Sequence, residues 1–312
     1  MQDDFLTFYV RKAKGYRKIT TYKSRDGELS KFHDKANESL QKRLKQSIFA
    51  KAYIKKRSII TNAKSHLYND IFISMDIKDF FQSINHNKLI ETLYYEINRN
   101  YVQHFSKLQC ETLIKSCSNS NNGLAIGLKP SPILANIYLK EFDGILYGWL
   151  KKADLNNVIY TRYADDLVIS YRFLENDDLL ENEKIIEKVK ELLKRYSLSL
   201  NNRKTRIINL NISNHVKITG INITKDGNNF RTLTVGRKMK NELYHRAIKA
   251  YQQKETNDDW VIETNKIRGL QSFVLSVEGL NYQKIYSDKM LDIVKQLGFG
   301  SLKELIDALK YT

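Results

Sequence analysis

The sequence predicts an α+β fold with a larger mixed body and a smaller, mainly helical C-terminal domain. Two apolar runs rich in β-branched and aromatic residues, at 70–78 and 158–171, have the composition of buried strands. Segments with apolar residues at helical spacing lie between them, and helical patterns dominate beyond about residue 235. At 312 residues the chain suits one large domain or two closely packed ones.

The first half of the chain contains one clear strand and three helical segments. The strand covers residues 70–78 and carries Asp76 near its end. The helices, of which the first is basic and the third has Pro132 in its first turn, are expected at 40–55, 89–97 and 131–150.

The second half begins with a hairpin pattern. Residues 158–171 have β-branched and aromatic residues on both sides of Ala164, Asp165 and Asp166, which places the turn at the acidic pair. An amphipathic helix is expected at 183–196 and short strands near 207–208 and 216–223. Further helices are expected at 238–254, 261–276 and 282–312.

Positive charge is concentrated in two regions. The chain has 52 Lys and Arg against 35 Asp and Glu, a net charge of +17. Residues 1–60 and residues 201–254 each have a net charge of +10, whereas 61–200 is close to neutral. Two basic regions beside a neutral centre favour binding of a polyanion such as nucleic acid, with solvated lysines as the alternative.

Three carboxylates could form a site for divalent cations. Asp76 ends an apolar strand, and Asp165 and Asp166 lie in a tight turn between two strands. Magnesium prefers hard oxygen ligands, and three carboxylates brought together repel one another unless a cation is present. Two such ions about 4 Å apart can activate a hydroxyl nucleophile and neutralise a triphosphate. For either acidic segment alone, an ordinary solvated turn is the alternative, because Asp is a common turn residue.

Together these segments resemble a known family. Tyr-Ala-Asp-Asp at 163–166, about 90 residues after Asp-Ile-Lys-Asp-Phe-Phe at 76–81, resembles the metal-binding motifs of reverse transcriptases. Asn-Ala-Lys-Ser-His at 62–66 and Ile-Thr-Gly at 218–220 resemble two motifs of bacterial retron reverse transcriptases, and residues 268–277 are similar to their thumb segment. The resemblance runs from about residue 16 to residue 277.

The resemblance implies a right-hand polymerase. Fingers and palm, with an antiparallel sheet plus helices, would occupy residues 1–212. A mainly helical, RNA-binding thumb would occupy 213–312. Two Mg²⁺ ions, with Mn²⁺ as a possible substitute, would be held by Asp76, Asp165 and Asp166, helped by the backbone carbonyl of Ile77.

The resemblance also assigns residues to the incoming deoxynucleotide. Phe81 matches the aromatic on which the sugar packs, with core packing as its alternative role. Arg17 matches a residue that contacts the triphosphate, although Arg11, Lys12, Lys14 and Lys18 compete with it locally. Lys204 matches a lysine proposed to protonate the leaving pyrophosphate, with a solvated lysine as the alternative.

A glutamine that the family places against the incoming nucleotide is replaced here by Ile126. Isoleucine cannot make the hydrogen bonds of an amide, so the resemblance does not extend to the family's usual fidelity, processivity or nucleotide preference. Gly127 and the Ser-Pro step at 131–132 are retained, so we expect the loop and the helix after it to be preserved.

Six residues are expected near RNA. Asn62 and His66 are retron-type markers with either an RNA-contacting or a structural role, and a neutral histidine in a core hydrogen bond is the structural alternative. The other four lie near the start of the thumb, where a basic surface would suit an RNA stem recognised by shape and backbone. They are Thr219, Gly220, Arg237 and Lys238.

The leading hypothesis is a retron-type RNA-directed DNA polymerase that copies a dedicated structured non-coding RNA into single-stranded DNA in anti-phage defence. Its partners would be that RNA and its DNA product, deoxynucleoside triphosphates, and an effector protein encoded nearby. The first alternative is an abortive-infection or other defence-associated reverse transcriptase that makes untemplated or non-dedicated DNA. A non-catalytic RNA-binding scaffold is the alternative from another class.

Membrane association is not expected. No apolar run approaches the roughly 20 residues that a spanning helix needs, and the first residues lack the basic start of a signal peptide. The sequence therefore predicts a cytoplasmic protein.

Overall fold

The computed structural model describes residues 4–11, 15–118, 120, 122–173, 179–253 and 258–309. These residues form two compact units, Met1–Asn209 and Leu210–Thr312. The first unit mixes strands and helices around one core, and the second joins a small sheet to a group of helices. The α+β prediction is confirmed.

The first unit contains six strands and eight α-helices among its described residues. The strands are β1 (Phe5–Arg11), β2 (Tyr16–Tyr22), β3 (Ile71–Asp76), β4 (Ile159–Tyr163), β5 (Asp166–Tyr171) and β6 (Arg206–Asn209). The first four helices are α1 (Glu28–Arg43), α2 (Ile59–Ser65), α3 (Phe80–Ser83) and α4 (His86–Asn98). The other four are α5 (Lys107–Ser116), α6 (Ser131–Tyr138), α7 (Lys140–Leu150) and α8 (Leu179–Lys194).

An antiparallel sheet of order β4-β5-β3-β6 forms the centre of this unit. Strand β3 is buried almost throughout because its Ile-Phe-Ile run packs between the sheet's neighbours and the helical core. The expected hairpin at 158–171 is confirmed: β4 and β5 pair antiparallel and turn at Ala164 and Asp165. Strands β1 and β2 form a separate antiparallel ribbon.

The prediction of a helix at 40–55 is wrong. The actual helix, α1, ends at Arg43, and residues 44–58 form a loop. Backbone pairing with strand β4 replaces helical bonds there: the Lys51 amide donates to the Arg162 carbonyl at 2.7 Å, and the Arg162 amide donates to the Phe49 carbonyl at 2.9 Å. A helix over 40–55 would have placed Ile48 on the same face as Leu40 and Leu44, but Ile48 is 70% exposed whereas those two are buried. Tertiary pairing has overridden a weak helical pattern.

The single helix expected at 131–150 is two helices. Leu139, with φ of −103° and ψ of 10°, separates α6 from α7. The junction could not be predicted from the sequence, because the apolar residues of both helices pack into the same core and their pattern continues across Leu139.

The second unit contains three strands and four α-helices among its described residues. They are β7 (His215–Ile218), β8 (Ile221–Lys225), β9 (Arg231–Thr234), α9 (Arg237–Gln253), α10 (Asp258–Glu278), α11 (Asp288–Gln296) and α12 (Leu302–Ala308). The strands form an antiparallel sheet of order β7-β8-β9. Thr219 and Gly220, with φ of 46° and 96°, make the tight turn between β7 and β8.

None of the helices in the described ranges is long and apolar enough to span a bilayer.

Candidate functional site

The three predicted acidic residues meet at one end of the central sheet. Strand register places Asp76 directly opposite Asp166. The Ile77 amide donates to the Asp165 carbonyl at 2.9 Å, which ties the end of β3 to the hairpin turn. Ala164 turns the chain with a left-handed φ of 57°. The sequence pattern therefore brings the three carboxyl groups together, as the strand-and-hairpin prediction required.

Burial and mutual repulsion act on these carboxyl groups. Burial, then Asp165 and Asp76, raise the pKa of Asp166 to about 6. The pKa of Asp165 is also raised, first by burial and then by the charge of Asp76. Lys204 opposes both shifts through its positive charge. The acidic group is therefore short of positive charge, which favours binding of a cation.

Lys204 lies beside the acidic group on a 3₁₀ turn, Asn202–Lys204. Its ammonium donates to Asp76 Oδ2 at 2.9 Å, and this bond raises the pKa of Lys204. The turn is fixed to the sheet because the Asn201 amide donates to the Asp76 carbonyl at 2.8 Å. Lys204 thus supplies the positive charge that Asp76 would otherwise lack.

The donor chemistry fits Mg²⁺ or Mn²⁺, which take hard carboxylate oxygens. No three His, Cys, Asp or Glu side chains in the described ranges have the spacing of a formed metal site, and Asp76 Oδ2 is bonded to the Lys204 ammonium. Binding of an ion through Asp76 Oδ2 would require that oxygen to exchange the ammonium for the metal. Asp76, Asp165 and Asp166 are the residues that would hold it.

A cavity of about 480 Å³ opens beside the acidic group. Seven of the residues expected in the active site line it: Arg17, Asp76, Ile77, Phe81, Ile126, Asp165 and Lys204. Asp166 and Gly127 do not line it. Among the local competitors of Arg17, Lys18 also lines the cavity and Arg11 does not. Lys12 and Lys14 lie outside the described residues.

Ile126 lines this cavity from the loop at 124–127. The Thr20 amide donates to the Ile126 carbonyl at 2.8 Å, so the loop pairs with strand β2. Gly127 has φ of 112°, and a Cβ there would lie 2.3 Å from the Thr20 carbonyl oxygen. Only glycine fits this approach. Ile126 presents an apolar side chain where the family has an amide.

His66 and Asn62 are fully buried, contrary to the expected contact with RNA. His66 Nδ1 lies 2.7 Å from Ser170 Oγ, and Nε2 lies 2.7 Å from Thr161 Oγ1. Burial lowers the pKa of His66 to about 3, so the ring is neutral. The structure therefore supports the alternative role, a core histidine that joins β4 to β5.

The expected RNA-binding residues of the second unit separate into two groups. Arg237 and Lys238 begin helix α9. Together with His215 and Lys217 of β7 they line a concave surface that encloses about 660 Å³. Thr219 and Gly220 form the β7–β8 turn and do not line this surface.

Sequence reasoning missed a buried ion pair behind the acidic turn. Arg162 and Asp143 have no exposed side-chain surface, and Arg162 Nε and Nη2 donate to the two carboxylate oxygens of Asp143, each at 2.8 Å. Arg162 Nη1 also donates to the Ala164 carbonyl at 3.4 Å. An arginine inside an apolar hairpin was the available signal.

It also missed Tyr53, which lines the cavity from the loop at 44–58. The helical interpretation of 40–55 hid it, because a helix would not have given Tyr53 its left-handed φ of 59°.

The chain is similar to known proteins over most of its length. The family described as "Reverse transcriptase (RNA-dependent DNA polymerase)" matches residues 10–223. Retron Ec83 reverse transcriptase of Escherichia coli is 27% identical over 264 residues, covering 80% of this chain and 77% of the relative. Retron Ec73 reverse transcriptase of Escherichia coli is 26% identical over 260 residues, covering 78% of each chain.

Solved structures show the same fold at low identity. Telomerase from Candida albicans aligns with 98% of this chain at a TM-score of 0.52 and 11% identity. Apo telomerase from Candida tropicalis aligns with 98% at a TM-score of 0.50 and 13% identity. This chain spans 64% and 63% of those two telomerase chains. The expected right-hand polymerase fold is confirmed.

With its family match covering more than half of the sequence and its relatives sharing the retron type, the chain belongs to the reverse transcriptase family and is an RNA-directed DNA polymerase of the bacterial retron type.

Proposed function

We propose that this polymerase copies a dedicated structured RNA into single-stranded DNA at the acidic end of its central sheet. The observation that carries the proposal is the direct pairing of Asp76 with Asp166, beside a cavity lined by Arg17, Phe81 and Ile126. Fingers and palm would correspond to residues 1–212 and the thumb to 213–312.

In this proposal Asp76, Asp165 and Asp166 hold two divalent cations, with Mg²⁺ as the expected metal. When bound, the cations would activate the 3′-hydroxyl of the primer and neutralise charge on the triphosphate. The clustered carboxyl groups support this assignment: burial and neighbouring carboxylates raise the pKa of Asp165 and of Asp166, and a cation would relieve their repulsion.

The chain's own groups have separate roles around the nucleotide. Arg17 and Lys18 bind the triphosphate, with Arg17 offering paired N–H donors to phosphate oxygens. Phe81 packs against the deoxyribose and blocks a 2′-hydroxyl. Lys204 donates a proton to the leaving pyrophosphate, for which it must first release Asp76.

The RNA would be held in part by the second unit. Arg237, Lys238, His215 and Lys217 give its concave surface a basic character that suits a phosphate backbone. The retron resemblance adds an anti-phage role and an effector protein encoded nearby as further parts of the proposal.

The test is DNA synthesis by the full chain with the RNA transcribed beside its gene, deoxynucleoside triphosphates and Mg²⁺. We expect a DNA product that is covalently joined to that RNA or base-paired with it. The double variant Asp165→Asn/Asp166→Asn should make no such product. Asp154→Asn, an exposed acid that does not line the cavity, is the matched control. Absence of product with the unaltered chain, or an unchanged yield in the double variant, would contradict the proposal.

Ile126 favours one second candidate, DNA synthesis without a dedicated template. Its apolar side chain lines the cavity where an amide would otherwise bond to the nucleotide. Sequencing the nucleic acid that co-purifies with the chain separates the two candidates. One defined RNA–DNA hybrid supports copying of a dedicated RNA, and random or homopolymeric DNA supports the second candidate.

A further inference from the structure

The loop at 44–58 is bonded to strand β4 of the β4–β5 hairpin, although the loop itself contains no helix or strand. Two backbone hydrogen bonds join it to Arg162 of β4, at 2.7 and 2.9 Å. Asn136 Nδ2 donates to the Ala52 carbonyl at 2.9 Å, which fixes the residue next to Tyr53. The Arg57 guanidinium donates to the Ser47 carbonyl at 2.8 Å and also to that of Ala50. The loop is therefore anchored to β4, to α6 and to itself on both sides of Tyr53.

This loop holds Tyr53 in a left-handed conformation. Its φ is 59°, a value that residues with a side chain adopt rarely and keep when the surroundings enforce it. Such outliers are concentrated at ligand sites. Here the outcome is that the ring enters the cavity that holds Asp76, Asp165 and Phe81.

Inside the cavity, Tyr53 forms a corner with Phe81. The two ring centroids lie 6.5 Å apart with an angle of 85° between the planes. Phe81 is 8% exposed, whereas Tyr53 is 57% exposed, so Tyr53 keeps accessible surface for a ligand. Partial burial and the nearby Asp165 raise the pKa of Tyr53.

We propose that Tyr53 is a specificity-determining residue that forms the second wall of the sugar pocket, perpendicular to Phe81, and helps exclude ribonucleotides. This inference rests on the proposed role of Phe81. Two rigid rings at a right angle leave a narrow corner, and an added 2′-hydroxyl would have to displace one of them. A tyrosine suits this task because its flat ring has few rotatable bonds and loses little entropy when it is fixed.

The test compares incorporation of dCTP and CTP opposite the same RNA template, by kcat/KM, in four variants. Tyr53→Ala is expected to reduce discrimination against CTP by about tenfold, the scale of a lost steric contact. Tyr53→Phe keeps the ring and should discriminate as the unaltered chain does. Phe81→Ala is the reference for the first wall. Tyr95→Ala removes a similarly exposed tyrosine on α4, outside the cavity, and should change nothing.

The outcomes separate the two claims. If Phe81→Ala accepts CTP but Tyr53→Ala discriminates normally, the inference about Tyr53 is overturned and the role of Phe81 stands. If neither variant accepts CTP, the role of Phe81 fails and the inference fails with it. Should Tyr53→Ala not fold, as judged by its thermal unfolding midpoint, Tyr53→Leu decides instead: it keeps apolar volume without a flat wall and must still relax discrimination.

Discussion

At the scale of single residues, His66 shows how a buried polar side chain can support a site that it does not touch. Its two ring nitrogens bond to hydroxyls on adjacent strands, Thr161 on β4 and Ser170 on β5. Asn69 Nδ2 donates to the same Ser170 hydroxyl at 2.8 Å. Each of these polar groups would be costly to bury alone, so the network fixes the two strands that carry the acidic turn.

The pKa of His66 gives a pH prediction for stability. An unfolded histidine binds a proton near pH 6.5, whereas the folded His66 does so only near pH 3. The contribution of His66 is therefore fully present above pH 6.5 and is lost as the pH falls towards 3, by about 1.4 kcal/mol per pH unit. We expect His66→Gln to flatten the fall in unfolding free energy between pH 6 and pH 4, measured by denaturant unfolding.

His104→Gln, which changes an exposed histidine in the same unit, is the control and should keep the slope of the unaltered chain. A parallel slope in His66→Gln would mean that the imidazole is already accessible to protons in the folded protein.

Among the elements, the β4–β5 hairpin is held from behind by the buried pair of Arg162 and Asp143. The guanidinium also bonds to the backbone carbonyl of Asn136 on α6 at 3.2 Å and to that of Ala164 in the turn. A buried ion pair is weak support for stability, since apolar residues of similar volume often replace it at no cost. Its contact with the left-handed Ala164 indicates that it positions the acidic turn.

Removing one partner of this pair should differ from removing both. Asp143→Asn leaves Arg162 buried without a counter-charge, and we expect a loss of about 3–5 kcal/mol in unfolding free energy. Asp143→Leu/Arg162→Met should recover part of that stability, because the buried Tyr160 hydroxyl still loses its Asp143 acceptor. It should not recover DNA synthesis, because the Ala164 carbonyl stays unsupported. Parallel measurement of unfolding and of kcat tests this, and a double variant that is both stable and fully active would rule out a positioning role.

Elements with a regular pattern of burial could be predicted, and those fixed by tertiary contacts could not. Strand β3 and the β4–β5 hairpin have continuous apolar runs and were identified. The β1–β2 ribbon was missed because most of β1 is exposed on both faces and shows no apolar–polar alternation. The loop at 44–58 was misread because its pairing with β4 depends on residues more than 100 positions away.

For the molecule as a whole, the two basic regions identified from the distribution of charge contribute residues to two different surfaces. In the first, Arg17 and Lys18 line the cavity beside the acidic group. In the second, Arg237 and Lys238 line the concave surface. Sequence could locate the charge but not the surface, because strands β7 to β9 gather residues from three separate segments to form it.

This concave surface gives a prediction for RNA affinity and its salt dependence. Arg237→Gln/Lys238→Gln should weaken RNA binding and reduce the slope of log K against log salt by about 1.5, the value for two lost phosphate contacts. Lys249→Gln/Lys266→Gln makes the same change in net charge with exposed residues that do not line the surface, and should keep the slope. Equal slopes in the two double variants would place the phosphate contacts elsewhere.

The acidic site is where sequence and structure agree most closely, since a strand end and a hairpin turn that resemble reverse transcriptase motifs pointed to Asp76, Asp165 and Asp166. Their roles depend on binding of divalent cations, which can be measured without any reaction. The measurement is a Mn²⁺ titration followed by electron paramagnetic resonance, in the presence of primed RNA and a nucleotide that cannot be extended. The same mixture without protein is the blank, and the difference gives the number of Mn²⁺ ions bound by the protein. We predict that the unaltered chain binds Mn²⁺ beyond the blank and that Asp165→Asn/Asp166→Asn does not. Equal Mn²⁺ binding by the two proteins would contradict the assignment of these carboxylates as metal ligands.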